Sequence, residues 1–212
     1  KSMEVNVPRH RRPAQLRTQE RVARAIAAAE VLLIERGPEE VSIPDVAEAS
    51  GVPRASLYQF FANKYQLFNA IAEQHLYQVL ELAQSAAPSF AGMHWRDAAP
   101  VLVRATSVYY NQNPVAGILI LGGPTSRESY LAQEVTIENI GAEIRAIFKT
   151  LKPAIYIPDE PDSATMLVEI AFAIMKFGYY RDGEISEAIM EQAVHACVGY
   201  LLQILPNELA AS

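Results

Sequence analysis

The stretch Val41-Ser42-Ile43-Pro44-Asp45-Val46-Ala47-Glu48-Ala49-Ser50-Gly51-Val52-Pro53-Arg54-Ala55-Ser56-Leu57-Tyr58-Gln59-Phe60-Phe61-Ala62-Asn63-Lys64 governs how the rest of the chain is read. Ser42 stands three residues ahead of Asp45 and offers its hydroxyl to the orphan amides of a first helical turn, where Pro44 loses nothing by lacking an N–H. A short helix is expected from about Ile43 to Ser50. Gly51 breaks it, and Pro53 opens a second helix ending near Phe61. Two short helices joined by a glycine turn form a helix-turn-helix when a small residue lets them approach and apolar side chains fix their crossing. Ala47, four positions before Gly51, is that small residue, and Val46, Val52, Leu57 and Phe60 form the inward apolar set.

Working outward, Val22, Ile26, Ala29 and Leu33 recur at helical spacing from Thr18 onward, until Gly37-Pro38 ends the run. Asn63-Lys64 interrupts after the motif, and a longer helix follows through Leu67, Ile71 and Leu80, so three short helices precede a long one. Pro88 and Gly92 mark a loop. Beyond it, periodicity and breakers predict helices over roughly 95–112, 114–122, 125–151, 162–181 and 184–205, and no convincing strand. Ile137, Ile140, Ile144, Ile147 and Leu151 form one stripe beside a charged face, as a half-buried helix requires. The helix over about 162–181 is apolar on every side and its successor carries a broad apolar band, so a two-fold partner packing that pair against itself is expected: a homodimer through about residues 162–205.

Half of the 212 residues are apolar, enough for a sizeable core without disulfides or metal, and Cys197 stands alone. Glu169 and Lys176 interrupt the longest apolar segment, which excludes a membrane span, and no apolar leader follows the basic start. A cytoplasmic setting is expected, and Lys1-Ser2-Met3 reads as a cloning remnant ahead of a native methionine. The net charge of −6 conceals an asymmetry: residues 1–75 hold ten Lys/Arg against nine Asp/Glu, whereas residues 76–212 hold eight against fifteen. Among the first seventeen residues Lys1, Arg9, Arg11, Arg12 and Arg17 face only Glu4, and the start of this stretch reads as a flexible basic arm over about residues 1–13.

The 41–64 stretch resembles the DNA-binding domain of TetR-family regulators, with Gly51-Val52, Leu57-Tyr58, the following phenylalanine and Lys64 at that family's spacing over about residues 18–70. The resemblance implies an all-α homodimer with an N-terminal three-helix helix-turn-helix domain (residues 14–66). It also implies a C-terminal helical domain (67–212) for effector binding and dimerisation, with repression of a palindromic operator released by a small molecule. The helix from Lys64 to about Gln84 would be the connecting lever. A helix-turn-helix relative serving as a protein-interaction adaptor without DNA is the alternative reading.

On the motif's second helix, Arg54, Ser56 and Gln59 are expected to read base edges in the major groove, Arg54 by a bidentate pair with guanine, and Ala55 to meet a thymine methyl. An exposed phosphate contact is the other reading of Arg54. The resemblance places Tyr58 and Lys64 on the DNA backbone, although Tyr58 also suits packing; Ser42 suits capping, a phosphate, or both. Arg11, Arg12 and Arg17 reach phosphates or the minor groove, or remain a solvated tail.

An effector pocket needs polar groups on apolar helix faces. Thr106, Tyr110 and Asn113 share one face, Tyr109 adjoins them, and Tyr130 and Glu134 begin a later helix. Glu169, within the most apolar helix, must face a cation, water or a cavity. Phe90, Met93, Trp95, Phe172 and Met175 read as core. No Glu-x-x-His pair, phosphate loop or nucleophile motif occurs, so neither an enzyme nor a metal or cofactor is expected.

Overall fold

The structure is a computed structural model that describes residues 11–123 and 126–206, with side chains from Gln15 onward. Two compact units divide between Leu67 and Phe68. Among the described residues there is no strand, and no helix is long and apolar enough to cross a membrane.

The first unit holds α1 (Arg11–Arg36), α2 (Ile43–Ser50), α3 (Arg54–Phe60) and the start of α4 (Lys64–Phe90). These form the N-terminal helix-turn-helix domain. Ala25, Ala29 and Leu33 of α1 pack with Val46 of α2 and Leu57 of α3, all fully buried. Ser42 and Asp45 build a reciprocal capping box on α2, and Gly51 closes that helix with φ 64°, a left-handed conformation that a side chain disfavours.

The first unit departs from the sequence reading in two places, and the first of these makes α1, at 26 residues, nearly as long as the 27-residue α4 rather than short. Helix α1 begins at Arg11 rather than near Thr18, so residues 11–13 of the expected arm are helical, while residues 1–10, with Lys1, Glu4 and Arg9, lie outside the described residues, as do the side chains of Arg11 and Arg12. Nor is Phe60 the inward phenylalanine. Helix α3 ends there, and the extended backbone of Phe61 (φ −134°, ψ 108°) turns the Phe61 ring into the core, with Phe60 half-buried against its edge at 6.5 Å.

In the second unit α4 continues to Phe90, through the Pro88 that the sequence reading placed in a loop. A proline costs a helix one N–H bond and crowds the preceding turn; here it falls in the last turn, on an exposed side. Then come α5 (Trp95–Gln112), α6 (Pro114–Ala116), a π-helical turn (Gly117–Leu121), α7 (Arg127–Lys149), α8 (Ser163–Asp182) and α9 (Glu187–Ile204). The expected helix over 114–122 is thus mostly a π-turn, in which the Gly122 N–H reaches back five residues to the Gly117 carbonyl at 2.8 Å.

Helix α8 packs against α7 and α9, and α5 against α9. Both α8 contacts are close because a glycine sits at each: a Cβ on Gly141 would lie 2.9 Å from the Thr165 backbone, and one on Gly178 would lie 2.7 Å from the Ile189 side chain. The opposite stripe of α8, including Met166, Ala173 and Phe177, is exposed in the single chain.

Candidate nucleic-acid interface and effector pocket

Helix α3 is anchored by one fully buried side chain, half-buries Ser56 and Phe60, and shows the rest outward. Leu57 is fully buried, whereas Arg54, Ala55, Tyr58 and Gln59 are exposed and Ser56 is intermediate. The Arg54 guanidinium lies 5.7 Å from the centroid of the Tyr58 ring one turn along, a cation–π contact that holds both over the same surface. These groups give α3 donors, an acceptor, a methyl and an aromatic edge, the chemistry that base edges and phosphates accept.

The supporting residues are more occupied. The Lys64 ammonium donates to the carbonyls of Pro38 (3.0 Å) and Glu39 (2.9 Å), tying the start of α4 to the turn after α1 and leaving one N–H donor. The Ser42 hydroxyl accepts from the Asp45 amide, and both that hydroxyl and the Ser42 amide (2.9 Å) donate to the Asp45 carboxylate; these two donations, side chain first, hold the Asp45 carboxyl below the usual range. Arg36 lies 3.8 Å from the same carboxylate. Arg17 is exposed on α1. A second reciprocal cap went unread in the sequence: the Gln66 amide donates to the Asn63 side chain at 3.0 Å, and the Ala62 amide to the Gln66 side chain at 2.9 Å. The Asn-x-x-Gln spacing was the available signal.

The polar residues singled out in the second unit separate into two groups. Tyr130, Glu134 and Glu169 converge on one polar cleft of about 140 Å³, lined also by Gln133, Phe172 and Lys176 and bounded by Ile120 and Leu121 of the π-turn. Burial, then the neighbouring Glu134 charge, raise the Glu169 carboxyl against the opposing pull of Lys176. The Glu134 charge and a hydrogen bond to Glu134 raise the Tyr130 phenol. Lys176 and Gln133 were missed as lining residues, although Lys176 stands seven residues, two turns, after Glu169.

The α5 residues do not join that cleft as a set. Thr106 lines a separate apolar cavity of about 70 Å³ with Leu102, Val168, Phe172, Met175 and Cys197, its own hydroxyl bonded to the Leu102 carbonyl. Burial pushes the Cys197 thiol there up to about 12. Tyr109 bonds instead to His75 at 2.7 Å, and Asn113 donates to the Tyr109 carbonyl at 2.8 Å. The Tyr110 hydroxyl is buried and has no partner among the described residues, burial raising it well above the ordinary phenol value, and its ring meets Phe172 edge-on at 5.8 Å. Trp95, Phe90 and Met175 are core, as read, Met175 also lining the apolar cavity; Met93 and Phe172 are only half-buried, Phe172 lining that cavity. Among the described residues no group of three or more His, Cys, Asp or Glu is placed to hold a metal ion.

Residues 25–71 match the family described as bacterial regulatory proteins, tetR family. The fold is that of a TetR-family transcriptional regulator from Streptomyces coelicolor (TM-score 0.69, 22% identity, 87% of this chain and 99% of that one). It is also similar to a putative TetR-family transcriptional regulator from Mesorhizobium loti (0.67, 17%, 87% and 96%) and to RolR in complex with resorcinol (0.64, 17%, 93% and 94%). A search of curated proteins finds no match to this chain. The N-terminal unit is a domain of the tetR family of bacterial regulatory proteins, and the chain as a whole has the fold of TetR-family transcriptional regulators.

Proposed function

We propose that this chain is a ligand-responsive transcriptional repressor that binds a palindromic operator as a homodimer and has no catalytic role. The observation that carries the reading is the division of α3: Leu57 inside, and Arg54, Ala55, Tyr58 and Gln59 outside, on a helix flanked by the α2 capping box and by the Asn63 and Gln66 side-chain bonds at the start of α4. Such a helix enters the major groove with its N-terminal residues at the base edges. Arg54 pairs with guanine, Gln59 and Ser56 read adjacent edges, and Ala55 meets a thymine methyl. Tyr58, the remaining Lys64 donor, the α2 start at Ser42, and Arg17 contact the backbone and set register.

The exposed apolar stripe of α8 supports dimerisation through about residues 162–205, because a helix with apolar residues on its outward face is stable in water when a copy covers it. The two cavities of the second unit support an effector site, and the resorcinol complex of RolR shows a small molecule bound to a protein of this fold. Effector binding favours a dimer shape whose recognition helices no longer match successive major grooves, about 34–36 Å apart.

The test is fluorescence anisotropy with a duplex obtained by unbiased selection, measured over a salt series. Binding should weaken steeply as salt rises, because each neutralised phosphate releases counterions. Absence of binding at low salt, or salt-independent binding, contradicts the reading.

A further inference from the structure

The cavities of the second unit narrow the chemistry of the effector, an inference that rests on the effector-domain reading above. Phe172 lines both the apolar cavity and the polar cleft, so one half-buried ring borders both spaces. On the apolar side the walls are aliphatic and aromatic, including Leu102, Val168 and Met175. On the polar side Glu134 and Glu169 share the cleft with a single cation, Lys176, a formal charge of −1. Among the described residues neither carboxylate closes to ion-pair distance with it.

An independent observation lies beside that ring, on a residue that lines neither space. Among the described residues the Tyr110 hydroxyl, on a residue only 3% exposed, has no hydrogen-bond partner, and its ring stands edge-on against Phe172. Buried hydroxyls are normally paired, and each exception calls for an explanation, a functional role or a bound molecule that supplies the partner among them. The π-turn that bounds the cleft is a second irregularity of the kind found at functional sites.

Charge and shape together select among ligand classes. A carboxylate or phosphate ligand would meet two like charges. A bare divalent cation would find only two carboxylates, beside an ammonium that repels it. An organic monocation neutralises the cleft, places its charge beside the Tyr130 and Phe172 rings, and sends its body into the apolar space. We propose that the effector is an amphiphilic organic monocation, its cationic end between Glu134 and Glu169 and its apolar body across Phe172 in the adjoining cavity.

Three probes with the same body test this by calorimetric titration of the full chain: 4-phenylbutylammonium, 4-phenylbutan-1-ol and 4-phenylbutyrate. The ammonium should bind about tenfold or more tighter than the alcohol, with the carboxylate weakest, as one uncompensated charge in a half-buried cleft requires. Glu169→Gln and Glu134→Gln should each weaken the ammonium about tenfold while leaving the alcohol within about twofold. Phe172→Ala should weaken both. The wild-type ranking decides the matter even where a variant fails to fold. Alcohol or carboxylate binding as tightly as the ammonium, binding of none of the three, or folded Gln variants with unchanged ammonium affinity overturns the proposal. Operator release measured in parallel separates the failures: release by the alcohol or carboxylate alone keeps the effector domain and removes the cation, whereas a chain that never binds DNA removes the repressor and leaves the probe ranking intact.

Discussion

In the N-terminal unit Ser42, Asp45, Asn63, Gln66 and Lys64 each complete a backbone hydrogen bond that the fold requires, whereas in the C-terminal unit the buried Tyr110 hydroxyl has no partner among the described residues and Glu134 and Glu169 share a cleft in which neither is ion-paired among those residues. The first arrangement makes a rigid platform and leaves α3's outward side chains free for another molecule. The second leaves polar groups poorly matched to their surroundings, and proteins retain such mismatches at functional sites rather than in scaffolds. Polar substitutions should therefore have opposite signs in the two units.

The largest effect tests the platform. Leu57→Ala, which removes the one fully buried side chain of α3, should cost about 2–5 kcal/mol in urea unfolding and abolish operator binding. Arg54→Ala should leave stability unchanged and cost about 1–3 kcal/mol of discrimination at one base pair, read as relaxed preference among duplexes differing there. Lys64→Ala, by contrast, should weaken all duplexes alike. Ser42→Ala should destabilise the first unit by about 1 kcal/mol through loss of the α2 cap, measured by thermal unfolding.

The same measurement should change sign in the second unit. Tyr110→Phe removes a buried, unpaired hydroxyl and should be neutral or stabilising by about 1 kcal/mol. Glu169→Gln should stabilise at pH 7 by no more than about 0.5 kcal/mol after allowance for solvent screening. Its pH dependence follows from the direction of the shift. The folded Glu169 carboxyl is raised from 4.5 by burial, so the native state binds the proton more readily than the unfolded state, and ionisation costs stability as pH rises. The advantage of the Gln variant should be full above the raised folded value and vanish below the unfolded one. Destabilisation by either substitution would erase the contrast between the units.

How much of this was legible depended on how local the cause was. The Ser42 cap, the Gly51 turn and the inward Leu57 are set by neighbours within one or two helical turns, and they could be read directly. Boundaries of α5 and of α7 to α9 followed from breakers beside them. What escaped was long-range or depended on a small backbone choice. Phe61 replaces Phe60 in the core because α3 ends one residue earlier than its apolar pattern suggests, and Pro88 stays helical because it falls in a last, exposed turn. The tie of Lys64 to Pro38 and Glu39 spans about 25 residues and has no local signature. Glu134 and Glu169 were singled out as misplaced polar groups, but their meeting with Lys176 at Phe172 depends on how α7 crosses α8, fixed by the contact of Gly141 with Thr165.

The base-reading role of α3 is tested most directly by selecting bound duplexes from a random pool with the wild-type chain and with Arg54→Ala in parallel. The wild type should enrich an inverted repeat with half-site centres about 10–10.5 base pairs, or a multiple of that, apart, and the variant should recover the same repeat with preference lost at one symmetric pair of positions. No enrichment by the wild type, or identical sequence preferences from both proteins, would contradict it.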